Sequence, residues 1–257
     1  MQEHLNENTA AREKTGYSLT LARSEEEVRE AQRLRYKVFV EELGARVQTR
    51  IPNHDIDLYD AFCEHLIVRE NDGDRVVGTY RILSPAAARR VGNYYSENEF
   101  YINRLQNLRG RMVEVGRSCI HPDHRSGAVI TLLWAGLADY MVRNNYDYLI
   151  GCASIGMADG GHNAANLFSQ LAQEHMAPAE YRVFPQHGLP FERLADGRTA
   201  MIPPLIKGYL RVGAWVCGEP AWDPDFNTAD LLLLLPMSRM NPRYLRHFVK
   251  PSAALVP

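Results

Sequence analysis

The stretch Met112–Trp134, MVEVGRSCIHPDHRSGAVITLLW, constrains this chain more than any other. Met112, Val113, Val115, Cys119 and Ile120 form an apolar run closed by Pro122. A run that short reads as a buried strand. From Ala128 the period changes, with Val129, Ile130, Leu132, Leu133, Leu137 and Met141 at helical spacing. A strand therefore feeds a helix through the basic loop Arg125-Ser126-Gly127. Such a junction gathers orphan N–H groups and the positive end of a helix dipole, which suits a phosphate or pyrophosphate. Glu114 is out of place between two valines, because a buried and unpaired carboxylate is costly. The expected partner is Arg117. The choice is between a structural Glu-Arg pair and an active-site carboxylate beside an acyl-group pocket.

Around this stretch the chain alternates helices and strands. Residues 1–15 are expected to be a loose tail, and residues 16–257 a single domain. Tyr17, Leu19 and Leu21 alternate with polar residues, as in a strand. Ser24 and Glu27 make a capping box for a helix from Glu25 to about Glu42, stopped by Gly44. Two strands, His65–Arg69 and Val76–Leu83, flank the hairpin signal Asn71-Asp72-Gly73-Asp74. Residues 86–111 are basic and aromatic and should hold a short helix and a loop. Further expectations are a strand at Tyr148–Ala153, a helix from His162 to about His175, and an irregular proline-rich connection over 178–204. Two late strands are expected at Tyr209–Cys217 and Ala229–Met237, then a short basic helix from Pro242. This order suggests one mixed α/β sheet.

Several chemistries are excluded or unsupported. A formal net charge of -2 argues against general nucleic-acid binding. The four cysteines are scattered without a CxxC, so reduced buried thiols in a cytosolic protein are expected. The polar N-terminal residues resemble neither a signal peptide nor an anchor. The longest apolar run, Leu231–Leu235, is far short of a membrane span. Gly116-Arg117-Ser118-Cys119-Ile120 fails the GxSxG pattern, and Walker A and GxGxxG patterns are missing. His121-Pro122-Asp123-His124 reads as a proline turn, and no metal is expected.

Four short motifs stand in order: Arg35-Tyr-Lys-Val-Phe39, Asp57-Leu-Tyr-Asp60, Gly78-Thr-Tyr-Arg81-Ile-Leu83 and Glu114-Val-Gly-Arg117. Together they resemble the acyl-homoserine-lactone synthases, whose pattern is R-x3-F, D-x-Y-D, G-x-x-R-L and E-x-x-R and which belong structurally with the GNAT N-acyltransferases. The tryptophan those synthases carry shortly after the phenylalanine is missing. The chain has instead His121-Pro122-Asp123-His124-Arg125, Leu133-Trp134-x-Gly136-Leu137 and Pro203-Pro204-Leu205-Ile206-Lys207-Gly208-Tyr209. That fuller pattern, over roughly residues 17–240, resembles the bacterial L-ornithine Nα-acyltransferases, with N-acyl amino acid synthases as relatives.

The resemblance implies an α/β (α+β) GNAT-like fold, with a central mixed, mostly antiparallel, twisted sheet flanked by helices. It implies transfer of a 3-hydroxyacyl group from acyl carrier protein to the α-amino group of L-ornithine, giving lyso-ornithine lipid. No cofactor would be bound permanently, since the acyl group travels on the carrier's 4′-phosphopantetheine. In this reading Glu114 is the base, and a backbone N–H near Ser118 to Ile120 holds the oxyanion. Asp57 and Asp60 neutralise ornithine's ammonium groups, and Arg81 or Arg117 holds its carboxylate. Arg35 belongs to the substrate site, and Tyr36 and Phe39 to the acyl channel. His124 and Arg125 meet the pantetheine phosphate, and Arg89, Arg90, Arg109 and Arg111 surround the entrance. Ordinary GNAT enzymes have a pyrophosphate loop R-x-x-G-x-G/A, in which Ala128 and Ile130 replace the later small positions here. That favours a single phosphate over coenzyme A. The alternatives are an acetyl-CoA-dependent acetyltransferase, another N-acyl amino acid synthase, or a non-catalytic carrier- or lipid-binding module. The expected location is cytoplasmic, with peripheral contact at the inner face of the plasma membrane left open.

Overall fold

The computed structural model describes residues 16–240; the expected N-terminal tail and the helix expected from Pro242 lie outside them. Strand β1 (Tyr17–Leu21) leads into helix α1 (Glu25–Tyr36), whose N-cap Ser24 accepts the Glu27 N–H at 3.2 Å. The helix then widens into a π-helical stretch, Lys37–Glu42, before Gly44 leaves it at a φ of 77°. Val38 stays in the core there, while Phe39 lines a cavity. Strands β2 (Glu64–Glu70) and β3 (Val76–Leu83) form the expected hairpin. Helix α2 (Pro85–Val91), capped by Ser84, is followed by the short strand β4 (Phe100–Tyr101). Next come β5 (Met112–Ile120), α3 (Ala128–Arg143), β6 (Tyr148–Gly156) and α4 (His162–Glu174). The connection beyond them carries β7 (Phe184–Pro185) and one turn of helix, α5 (Phe191–Leu194). The chain closes with α6 (Pro204–Val212), β8 (Trp215–Val216), β9 (Ala221–Asp223) and β10 (Thr228–Pro236).

One expected element changes type. Tyr209–Cys217 is not a strand: α6 takes its first half, and only Trp215–Val216 is extended. Pro204 sits in the first helical turn, where its missing N–H costs nothing, and Gly213 ends the helix at a φ of 111°. Ile206, Tyr209, Leu210 and Val212 then fall at helical spacing, and Tyr209 stacks on Trp134 of α3 with ring centroids 5.6 Å apart. β9 lies inside the segment expected to be the loop between the two late strands.

The main sheet runs β1-β2-β3-β5-β6-β10-β8, with β9 also pairing β10. Every pairing is antiparallel except β5 with β6. Alternate residues of β2 serve opposite faces, as the two-residue strand period requires. Leu66 and Val68 meet Val129, Leu133 and Leu137 of α3, whereas Ile67 meets Ala31 and Leu34 of α1 and Val38 of the π-helical stretch. A β-carbon on Gly78 would fall 2.4 Å from the Val129 side chain, so glycine lets α3 lie close on β3. Ala153, Ile155, Leu231 and Leu233 pack in turn against α4.

Two features open this sheet. The parallel ladder between β5 and β6 covers only Met112–Glu114 against Tyr148–Ile150. Opposite β3, Arg81 faces Gly116 and Thr79 faces Cys119, so Tyr80 stands against both Arg117 and Ser118. That extra residue is a β-bulge, and Arg117 occupies it at a φ of 50°, unusual for a side chain of its size. The bulge bends β5 away from β6, and the two strands diverge into a fork.

Candidate active site

The fork encloses a cavity of about 290 Å³. Apolar groups from Leu149, Leu205, Tyr209, Leu233 and Leu235 line it, together with Glu114, Arg117, Ser118, Asp223 and Asp230. Gly151 stands where the strands part. A β-carbon there would lie 2.5 Å from the Val115 carbonyl oxygen, so glycine sets how close the strands come before they separate.

Glu114 lies at the base of this fork, opposite Ile150, and is 4% exposed. Its expected partner, Arg117, is not the one it takes. The amides of Tyr95 and Ser96 donate to its two oxygens at 2.5 and 2.8 Å. Those amides open the turn Tyr95–Asn98, so the carboxylate caps a short helical turn. Arg117 leaves the strand at the bulge and points elsewhere. Burial pushes the Glu114 carboxyl above its ordinary range, and the hydrogen bonds from Ser96 and Tyr95 only partly offset it.

The three other motif segments meet in a buried network. Arg35, with no exposed surface, donates to both oxygens of Asp60 at 2.8 and 3.0 Å and to Asp55 at 2.7 Å. Arg81 bonds Asp57 at 2.6 Å and Asp60 at 2.9 Å. Arg117 bonds Asp57 at 3.2 Å, pairs with Asp55 at 3.2 Å, and lies over the rings of Tyr95 and Phe226. Gln32 adds a donor to Asp60 at 3.1 Å. Burial opposes the charge on Asp57 and Asp60, yet the guanidiniums prevail and hold both carboxyls below their usual range.

The matches to known proteins follow the same lines. The GNAT acetyltransferase domain model matches residues 34–135. An L-ornithine N(alpha)-acyltransferase of Rhodobacter capsulatus is 37% identical, covering 91% of this chain and 95% of its own. Another, of Rhizobium meliloti, is 37% identical over 89% of this chain and 82% of its own. The chain belongs to the L-ornithine N(alpha)-acyltransferase family. Among solved structures, the CoA-dependent acyl-homoserine lactone synthase BjaI with MTA superposes with a TM-score of 0.53 at 16% identity, covering 91% of this chain and 88% of that one. FeeM, an N-acyl amino acid synthase from uncultured soil microbes, gives 0.52 at 13% identity, covering 89% and 92%. These two likenesses establish the GNAT-like fold.

Within this acyltransferase the other expected residues are dispersed. Ser118 lines the cavity, as does Phe39, which meets Phe226 edge-on at 5.8 Å. Arg125 grips Glu42 through both terminal nitrogens, at 2.6 and 2.7 Å. His124 bonds the Tyr17 hydroxyl at 2.9 Å. Ile130 packs on the core between α3 and the sheet. Arg109 pairs with Glu97 and Arg111 with Asp147, while Arg90 lies over Phe62. Among the described residues no helix is long and apolar enough to cross a membrane.

Sequence reasoning missed three groups that line the cavity, Tyr95, Asp223 and Asp230, and a fourth, Glu99, that lies beside Asp230. Tyr95 and Glu99 come from the irregular segment before β5, where no period announces them. Asp230 left a trace, as the only charge leading the run Leu231–Leu235. An acid at the head of a wholly apolar strand is as anomalous as Glu114.

Proposed function

We propose that this enzyme transfers a 3-hydroxyacyl group from the 4′-phosphopantetheine thioester of acyl carrier protein to the α-amino group of L-ornithine, giving lyso-ornithine lipid. The observation that carries the reading is the fork with Glu114 at its base. Beyond Glu114, β5 has no ladder with β6, so a thioester arm can enter between the strands and use the open edge. The leucine-lined wall suits an acyl chain, which gains about 0.8 kcal/mol per buried CH₂.

The reaction forms an amide C–N bond and breaks the thioester C–S bond. The amine attacks as a neutral nucleophile, and Glu114 takes the proton it sheds. A carboxyl raised by burial is a better acceptor than an ordinary one. That proton ends on the departing pantetheine thiol, so the charges balance. A backbone N–H of the bulge near Ser118 steadies the oxyanion. Asp60 has both oxygens committed to Arg35, Arg81 and Gln32, so its geometry favours holding the loop over binding an ammonium. Arg81 and Arg117 both line the cavity, and Arg117, held to Asp55 and Asp57 only at 3.2 Å where Arg81 is held at 2.6 and 2.9 Å, is the freer of the two for the substrate carboxylate. The pantetheine phosphate would meet the N-terminus of α3, sharing Arg125 with Glu42 or displacing it.

The test incubates the purified protein with 3-hydroxyacyl carrier protein and L-ornithine, with fragmentation mass spectrometry of the product. Nα-acylornithine is the expected outcome. Turnover of acetyl-CoA alone would make it an acetyltransferase, and no turnover with either donor would make it a binding module.

A further inference from the structure

Buried carboxylates near the fork fall into two kinds. Asp55, Asp57 and Asp60 are matched by guanidiniums, and Glu114 by two amides. Glu99 and Asp230 are matched by neither. Both carboxyl oxygens of Glu99 are buried without a hydrogen-bond partner, and so is Oδ1 of Asp230, a residue only 4% exposed that lines the cavity. Ligand atoms of Glu99, Asp230 and the Cys152 thiol all lie within 4.8 Å of one another. Among the described residues no arginine, lysine or histidine forms an ion pair with either acid. Two carboxylates held together out of water need a shared proton or a cation between them.

We propose that Glu99 and Asp230 seat the side-chain ammonium of the amino acid acceptor, making the enzyme selective for diamino acids; this rests on the acyl transfer to ornithine proposed above. The sheet sets the spacing. Glu114 faces Ile150, and Cys152 lies two residues further along β6, roughly 6.6 Å at the usual strand rise. Asp230 sits on the neighbouring β10, two positions before Leu232, the partner of Cys152. Asp230 itself pairs with Ser154, but its carboxylate reaches back to within 4.8 Å of the Cys152 thiol, so an amine beside Glu114 and a second nitrogen seated at this cluster are about one diamino acid side chain apart. An ammonium is also a better fit than a metal ion. The cluster lacks an imidazole, burial keeps the Cys152 thiol protonated, and hard divalent ions want six or more oxygens.

The experiment compares L-ornithine with L-norvaline, which has the same carbon chain and no terminal amine. Calorimetry on the wild-type protein gives affinity, and kcat/KM gives selectivity, with Glu99→Gln and Asp230→Asn as near-isosteric variants. The wild type should favour ornithine by both measures. In each variant the ornithine-to-norvaline ratio should fall roughly 10- to 100-fold, the scale of a charge-assisted hydrogen bond. Equal wild-type affinity for the two amino acids overturns the proposal even if the variants do not fold. So does an unchanged ratio in a folded variant, or stabilisation by zinc or manganese that Asp230→Asn abolishes. If no amine is acylated, the reaction reading fails alone, and the calorimetry still decides the ammonium seat.

Discussion

Glu114 and Asp60 are both buried acids, but they are held in different ways. Two amides cap Glu114, leaving lone pairs free and its proton affinity raised. Glu114→Gln should therefore leave the melting temperature within a few degrees while lowering kcat about 10²-fold or more, the scale of a lost general base. Near-normal turnover by the folded variant would make the residue structural. Asp60 faces two guanidiniums, so Asp60→Asn should cost roughly 3–5 kcal/mol in urea unfolding, the usual penalty for breaking a buried ion pair. The pH dependence has a definite sign. The folded-state carboxyls of Asp57 and Asp60 lie below their ordinary value of 3.8. Their contribution to stability is present above that value and drains away as pH falls through the lowered folded-state range. Asp60→Asn should flatten the acid limb of a stability-against-pH curve; an unaltered limb would place the acid sensitivity elsewhere.

At the scale of elements, the fork depends on a close approach followed by a departure. Gly151 permits the approach, and the bulge at Arg117 drives the departure. Gly151→Val would press a side chain against the Val115 carbonyl and push β6 away from β5. The expected cost is about 1–3 kcal/mol, typical of overpacking, together with a rise in KM for the acyl donor. If donor KM is unaffected, the thioester does not lie between these strands. The π-helical turn at Lys37–Glu42 works on the opposite wall: it sends Phe39 to the cavity and Glu42 to Arg125. Such turns are frequent at functional sites.

At the scale of the whole molecule, surface charge bears on the choice of donor. Carrier proteins are acidic, and the basic side chains expected at the entrance are largely paired already. Arg109 holds Glu97, Arg111 holds Asp147 and Arg125 holds Glu42. These are partly exposed pairs, which salt screens and competing acids can exchange. Acyl carrier protein should have a higher kcat/KM than the matching acyl-CoA, and added salt should lower only the carrier-protein value. Arg125→Ala should weaken both donors. Equal kcat/KM for the two donors at low salt would return the enzyme to the CoA-dependent class.

Period and punctuation in the sequence determined the central strand–loop–helix, the first helix with its cap, the hairpin and the long late strand. Each of these is a local matter of apolar spacing, Pro122, Gly44 or a turn tetrad. The four ordered motifs likewise marked Arg35, Asp57, Asp60, Arg81, Glu114 and Arg117 as belonging together. Their partners were decided only by tertiary structure. Arg117 fails to reach Glu114 because a bulge, set by pairing with β3, turns it out of the strand's alternation. Glu114 finds amides from a segment without period, which gets its shape by packing on the sheet. α6 became a helix where a strand was expected, since Pro204, Gly213 and the stack of Tyr209 on Trp134 act together. The meeting of Glu99 with Asp230 brings together residues 131 positions apart (230 less 99). No local pattern announces it, because each acid is costly alone and acquires a purpose only beside the other.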